Sequence, residues 1–329
     1  MKIGKVSQTV LKRSVLKPLQ FQREETLWNP TAEEMCYGIR TLEGEQMLST
    51  ESVLYGNEKD LGVFALAQVI NDLASRGAKI VGATIHISLP PYAYESRLKA
   101  MMEYVEEAAG SRDVQIISAK AEVSPVLQSA MVHVNGFGKI KEADLVRSNM
   151  AKPGQDIVLL KWIGLCGMLR ILREKEEALK TRFVPGFLAQ AESLHSQLFS
   201  DREIEFAKKF GVSAMHQIGA GGILAALWEL CESAGIGMEV DLKKMSVRQE
   251  TVEICEYFHL NPYQLTSTGS VLIVTDKGEE LAECYLEKGV QATVLGKTTK
   301  EKARVILGGE EKRFLDRPAP DELVKIYDL

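Results

Sequence analysis

The run with the clearest chemical potential lies in the second half of the chain: Met215-His216-Gln217-Ile218-Gly219-Ala220-Gly221-Gly222, followed at once by an apolar helix-forming stretch. Glycines let backbone approach a ligand closely, and the free N–H groups and positive dipole end of the following helix favour a phosphate. The same residues also suit a close-packed turn with no ligand. They lack the Gly-Lys-Ser/Thr of a Walker loop and the GxGxxG spacing of a dinucleotide fold. Five histidines (His86, His133, His195, His216, His259) form no HExxH and no Cys/His ligand set, which argues against zinc. His216, just before the glycines, is expected to be structural and to orient the loop. Five widely spaced cysteines (Cys36, Cys166, Cys231, Cys255, Cys284) point to reduced thiols, with Cys166 as a small apolar filler. No GxSxG is present, so covalent nucleophilic catalysis has no support.

A second chemical signal is a carboxylate on an apolar stripe. Leu61, Phe64, Ala65, Gln68 and Asp72 follow helical spacing in a helix expected from about residue 59 to a stop at Gly77. Buried alone, Asp72 would be costly, so it must be paired, hydrogen-bonded or bound to a cation.

The elements that must position these residues fall into two groups. In the first half the pattern predicts strands at 46–49, 80–89, 114–117 and 130–134, with a second helix at 95–109. In the second half it predicts strands at 157–162, 238–240, 270–274, 291–295 and 304–307. Helices are expected there at 168–180, 201–210, 223–233, 248–258 and 278–288. The turn Ala151-Lys152-Pro153-Gly154-Gln155-Asp156 divides the chain into domains at 1–150 and 151–329, in line with the size at which single cores stop growing.

Composition narrows the function classes. The chain has 329 residues, 45% of them apolar and 26% charged, and a net charge of −5 that leaves no electrostatic footprint for nucleic acid. No apolar run is long enough to span a bilayer and no signal-peptide core follows Met1, so a cytoplasmic protein is expected. Residues 1–23 carry Lys2, Lys5, Lys12, Arg13, Lys17 and Arg23 and no acidic residue. An anion-binding arm, a transit peptide and a solvated strand-turn segment all fit that composition.

Several motifs in combination resemble the AIR synthase (PurM-like) superfamily. Asn71-Asp72-Leu73-Ala74-Ser75-Arg76-Gly77-Ala78 is similar to its NDLAxxGA helix, and residues 215–222 to its MHDxTxGG turn. Lys152-Pro153-Gly154-Gln155-Asp156-Ile157-Val158 with Ile163-Gly164 resembles the start of its second domain. Val247-Arg248-Gln249-Glu250, Leu260-Asn261-Pro262 and Gly269-Ser270 follow the order of the branch of the hydrogenase maturation factor HypE. The resemblance covers roughly residues 50–307. It implies a two-domain α/β (α+β) PurM-like fold, with an N-terminal β-rich dimerisation and ATP-binding domain and a C-terminal α/β domain. It also implies a homodimer formed through strands of the first domain, a maturation-protein partner, and ATP with Mg2+ between the domains. Relatives use ATP to phosphorylate or dehydrate an amide or carbonyl oxygen.

The departures from the family pattern bear on the metal. Its early aspartate is matched by Met35, its Thr-Asp by Thr50-Glu51, and its Gly-Asp-Thr turn by Ser118-Ala119-Lys120-Ala121-Glu122. Gln217 stands where the second motif has aspartate. The resemblance carries a cofactor-binding role onto Asn71, Asp72, Lys120, His216, Gly221 and Gly222, and magnesium ligation onto Glu51, Asp72 and Glu122. Lys120 and the basic arm could substitute for cations on phosphate. The C-terminal cysteine of HypE has no counterpart in Lys325-Ile326-Tyr327-Asp328-Leu329, so carbamoyl dehydration by that route is not expected. The expected function is an ATP binder with a degenerate metal site; the alternatives are an active ATP-dependent enzyme and a non-catalytic dimeric partner protein.

Overall fold

A computed structural model of the chain describes residues 7–17, 24, 27–28, 31–34, 36–41, 44–309 and 311–327. Within the basic arm, α1 (Gln8–Val10) runs on into helical turns at Leu11–Leu16, so this part is helical and not strand-turn. Lys12 Nζ reaches Glu33 at 2.6 Å. Lys2, Lys5, Arg23 and Met35 lie outside the described residues.

The first sheet contains β1 (Tyr37–Arg40), β2 (Glu45–Gly56), β3 (Lys79–Leu89), β4 (Gln115–Val123) and β5 (Ala130–Lys141). Its order is β1-β2-β5-β3-β4, and only the β3–β4 pairing is parallel. Two helices lie on one face, α2 (Leu61–Ser75) across β2 and β5 and α3 (Glu95–Gly110) beside it. In α3 the buried residues are Met101, Val105 and Ala109, a four-residue spacing that leaves its other side to solvent. Three strands outrun their expected limits. β5 continues through Asn135-Gly136-Phe137-Gly138 because α2 needs bare backbone beneath it: a Cβ on Gly136 would sit 2.1 Å from Val69 Cγ1. β2 reaches Gly56 and β4 reaches Val123, so residues 118–122 are strand and not a turn.

The second half begins with β6 (Asp156–Leu160), then α4 (Leu165–Glu174), α5 (Glu176–Arg182), α6 (Pro185–Ser193) and α7 (Asp201–Ala207). It continues with β7 (Ala214–Gln217), α8 (Gly222–Ala234), β8 (Gly237–Asp241), α9 (Gln249–Tyr257), β9 (Val271–Thr275) and α10 (Gly278–Glu287). It closes with β10 (Ala292–Thr299), β11 (Arg304–Gly308) and β12 (Glu311–Phe314). The sheet order is β12-β11-β8-β10-β6-β9-β7, antiparallel except for β8–β11. β6 is apolar at successive residues because both faces are covered: Ile157 and Leu159 enter the core under α8, Val158 and Leu160 the core under α7 and α10. The helix expected at 168–180 is two helices, broken at Lys175, whose N–H closes α4 on Ile171 O. α6, which starts at Pro185, was not expected. Among the described residues no helix is long and apolar enough to cross a membrane. The five cysteines are free thiols, and Cys166 is buried.

The two halves are joined by buried charge. Arg76, at the end of α2, is fully buried; its Nε donates to Glu34 Oε1 (2.8 Å), Nη1 to Met215 O (2.8 Å) and Nη2 to Ser148 Oγ (3.4 Å). Burial alone would raise the Glu34 pKa. The Arg76 charge and hydrogen bond, the Cys36 N–H and the Arg147 charge outweigh burial and hold it below the ordinary carboxylate value. A carboxylate lowered on folding contributes stability that is complete above its unfolded pKa of about 4.3 and is lost as pH falls through the lower folded value. Glu34→Gln should therefore cost about 3 kcal/mol at neutral pH, because it strands a buried guanidinium. Urea unfolding of both proteins should show that gap closing below pH ~4; a gap that stays constant through the acid range would refute the assignment.

Candidate functional site

β1 pairs only with residues 46–49 of β2, so residues 50–56 have β5 on one side and, among the described residues, no strand on the other. This free edge forms one wall of a cleft of about 720 Å³ that runs between the two halves. Glu51 and Tyr55 of β2, Gln68 and Asp72 of α2, and Gly221 ahead of α8 all line it. That volume lies in the range of small-molecule and cofactor sites, about 300–1,000 Å³.

The glycine loop turns sharply to enter α8. Gly221 (φ 88°) and Gly222 (φ 67°) both occupy left-handed backbone, and a Cβ on Gly222 would meet Tyr263 O at 2.5 Å. The Gly221 N–H, which a phosphate would be expected to use, donates to Asp321 Oδ2 at 2.7 Å. Asp321 Oδ1 accepts from Leu323 N (2.8 Å) and Thr266 N (3.3 Å). Burial raises the Asp321 pKa, against the lowering effect of these three N–H groups and of Arg170. His216 lies behind the loop, fully buried, with Nδ1 2.9 Å from Ser148 Oγ and Nε2 3.1 Å from Glu229 Oε2. It positions Glu229, which lines the cleft, and does not line the cleft itself.

Asp72 is hydrogen-bonded, and the buried Arg76 guanidinium acts on it electrostatically. Gln217 Nε2 donates to Asp72 Oδ1 at 2.5 Å and also to Gln68 O at 3.0 Å. Gln68 Oε1 in turn accepts from Ser52 Oγ at 2.9 Å, tying α2 to β2. Asn71, one residue earlier, points away from the cleft. Its Nδ2 donates to Leu198 O and its Oδ1 accepts from Ser200 N, both at 2.8 Å, so both ends of its amide hold α2 to the second half.

The remaining candidate residues are dispersed. Glu51 Oε2 is 3.1 Å from His133 Nε2 on the face of the first sheet that α2 leaves open. Glu122 accepts from Ser88 Oγ at 3.1 Å, and Lys120 pairs in register with His86; both belong to β4. β4 lies three strand spacings from β2, roughly 14 Å. Neither Lys120 nor Glu122 lines the cleft. The trio Glu51, Asp72 and Glu122 is thus not gathered, and among the described residues no group of three or more His, Cys, Asp or Glu side chains is placed to hold a metal ion. The donor set does not suit magnesium. An N–H donor faces Asp72 where a ligand oxygen would be needed.

The cleft also uses residues that sequence reasoning missed. Arg170 is buried at one end, with Nε donating to Glu58 Oε1 (2.9 Å) and Nη2 to Tyr55 O (2.5 Å) and Tyr327 OH (2.8 Å). Burial raises the Tyr327 pKa, with Arg170 opposing. Two sequence cues were present. Arg170 interrupts the apolar face of α4, and Pro318-Ala319-Pro320-Asp321 has the form of a helix start.

Comparison with known proteins agrees with this architecture. The model of the AIR synthase related protein N-terminal domain matches residues 41–140, and that of the C-terminal domain matches 152–308. A Methanocaldococcus jannaschii protein assigned to hydrogenase expression and formation is 22% identical over 338 residues, covering 98% of this chain and 97% of its own. A structure of the hydrogenase maturation protein HypE in complex with ATP aligns with a TM-score of 0.67 at 16% identity, covering 98% of each chain. A HypE–HypF complex aligns at 0.66 and 21% identity, covering 85% of this chain and 93% of that one. At these identities the structures show a shared fold. With both domain models matched in order along most of its length, the chain belongs to the AIR synthase-related family, and hydrogenase maturation proteins are among its relatives.

Proposed function

We propose that the chain, divided at residues 150/151, is a HypE-like ATP-binding protein whose cleft takes the nucleotide without a carboxylate-held magnesium ion. One observation carries this reading: the hydrogen bond from Gln217 Nε2 to Asp72 Oδ1 at 2.5 Å. Two facing aspartates would repel unless a cation or a shared proton lay between them, whereas an amide beside an aspartate that already feels the Arg76 charge needs no bound ion. The cleft's volume, its glycine loop and the ATP-bound HypE relative support the nucleotide.

A second reading rests on a separate observation. Glu51, Asp72 and Gly221 line the same cleft, an arrangement that an active ATP-dependent enzyme using rearranged ligands would require. In that case Gln217 would have to turn away from Asp72 to admit the ion.

Calorimetric titration separates the two. The first reading expects ATP affinity to change less than about threefold on chelation of magnesium, and Gln217→Asp to make binding magnesium-dependent by tenfold or more, about 1.4 kcal/mol. Wild-type binding that vanishes without magnesium would overturn the first reading and establish the second.

The open face of the first sheet supports a homodimer. Tyr37, Ile39, Val53 and Tyr55 are exposed there, and apolar side chains grouped on one sheet face mark an interaction surface. A maturation-protein partner is proposed by likeness to the HypE–HypF complex. Sedimentation equilibrium should return twice the 36.5 kDa chain mass, and Val53→Glu should return a single chain. A wild-type monomer at micromolar concentration would refute the dimer.

A further inference from the structure

Residues 319–327 cross the mouth of the glycine loop and are firmly held. Leu323 and Ile326 are buried in the core shared with α2 and α4, and Asn261 N donates to Glu322 Oε2 at 3.1 Å. At the far end the Tyr327 ring lies 5.3 Å from that of Tyr55, and its hydroxyl donates to Tyr55 O at 3.2 Å on the free edge of β2. Just ahead of these anchors the Asp321 carboxylate sits on three backbone N–H groups, one of them Gly221 at the entry to α8. Oriented N–H groups at a helix entrance favour an anion from any source.

We propose that this segment is an internal strap whose Asp321 carboxylate acts as a built-in anion on the glycine loop, and that it sets how strongly a phosphate chain is held in the cleft. The carboxylate uses the Gly221 N–H and adds a negative charge beside it. An incoming phosphate must either displace it or bind without that donor. The strap need not leave as a body, because exchange of one carboxylate is enough. The inference rests on the nucleotide-binding reading, and the experiment separates their failures.

The test titrates sodium tripolyphosphate and, separately, ATP into the full chain and into two variants. Asp321→Asn removes the charge, and Asp321→Ser retains a short acceptor for the turn that follows; thermal melts check that both fold. Both variants should bind tripolyphosphate at least tenfold more tightly than wild type. Amide exchange of residues 219–223 should slow on adding tripolyphosphate in the variants and not in wild type, which places the gain at the loop and distinguishes it from a general loss of negative charge. Unchanged tripolyphosphate affinity, or equal added protection in wild type, overturns the strap. If the variants gain tripolyphosphate while no protein binds ATP, the strap stands and the nucleotide reading falls. ATP bound by all three with unchanged tripolyphosphate affinity keeps the nucleotide and removes the strap; no binding of either ligand overturns both.

Discussion

The structure depends on helix α2, which is buried at every residue but Gln68 and still carries Asn71, Asp72, Ser75 and, just beyond its end, Arg76. A helix enclosed on all sides has to find partners for its polar groups within the protein, since an unanswered one costs on the order of 1–3 kcal/mol. Here the second half supplies many of them. Asn71 is answered by Leu198 O and Ser200 N, Asp72 by Gln217, and Arg76 by Met215 O. Both walls of the cleft are set by that one row of contacts, so the cleft's shape follows from how α2 is satisfied.

The same constraint governs the cleft's electrostatics. Asp72 and Asp321 both point into it, and each is met by N–H groups of the protein: a side-chain amide for Asp72, backbone amides for Asp321. Hydrogen bonds from neutral donors stabilise a carboxylate without bringing in a cation. In the family pattern the position of Gln217 carries an aspartate, and a second carboxylate there would make a cation necessary. In the proposed reading the replacement at Gln217 changes what the cleft requires within the same α2, glycine turn and sheets.

Much of the fold was legible in the sequence because burial imposes a period. Leu61 to Asp72 gave α2, and the alternating or continuous apolar runs gave the centres of most strands. Their ends were less legible. Gly136 and Gly138 have the composition of a loop, yet lie inside β5 because Val69 and Ala78 pack against them, a contact between distant segments that local composition does not carry. In the site, Asp72 and the glycine loop were legible as residues needing partners. The partner of Asp72 was visible only as a departure at Gln217. Motif order alone brings Lys120 to phosphate and Glu122 to magnesium, but the order β1-β2-β5-β3-β4 sets their strand three positions from the strand of Glu51. Asp321 and Tyr327 reach the cleft through tertiary packing of a segment a hundred residues or more from the glycine loop and β2, for which the sequence offers only the helix-start form of Pro318-Ala319-Pro320-Asp321.

In the proposed reading the Gln217 amide takes the place of a bound metal ion at Asp72. Crystals grown with ATP and Mn2+, examined by anomalous scattering from manganese, test it most directly. Gln217 Nε2 should remain on Asp72 Oδ1, with no anomalous peak within about 2.5 Å of either Asp72 oxygen. A manganese peak bound by Asp72, with the Gln217 amide turned aside, would contradict it.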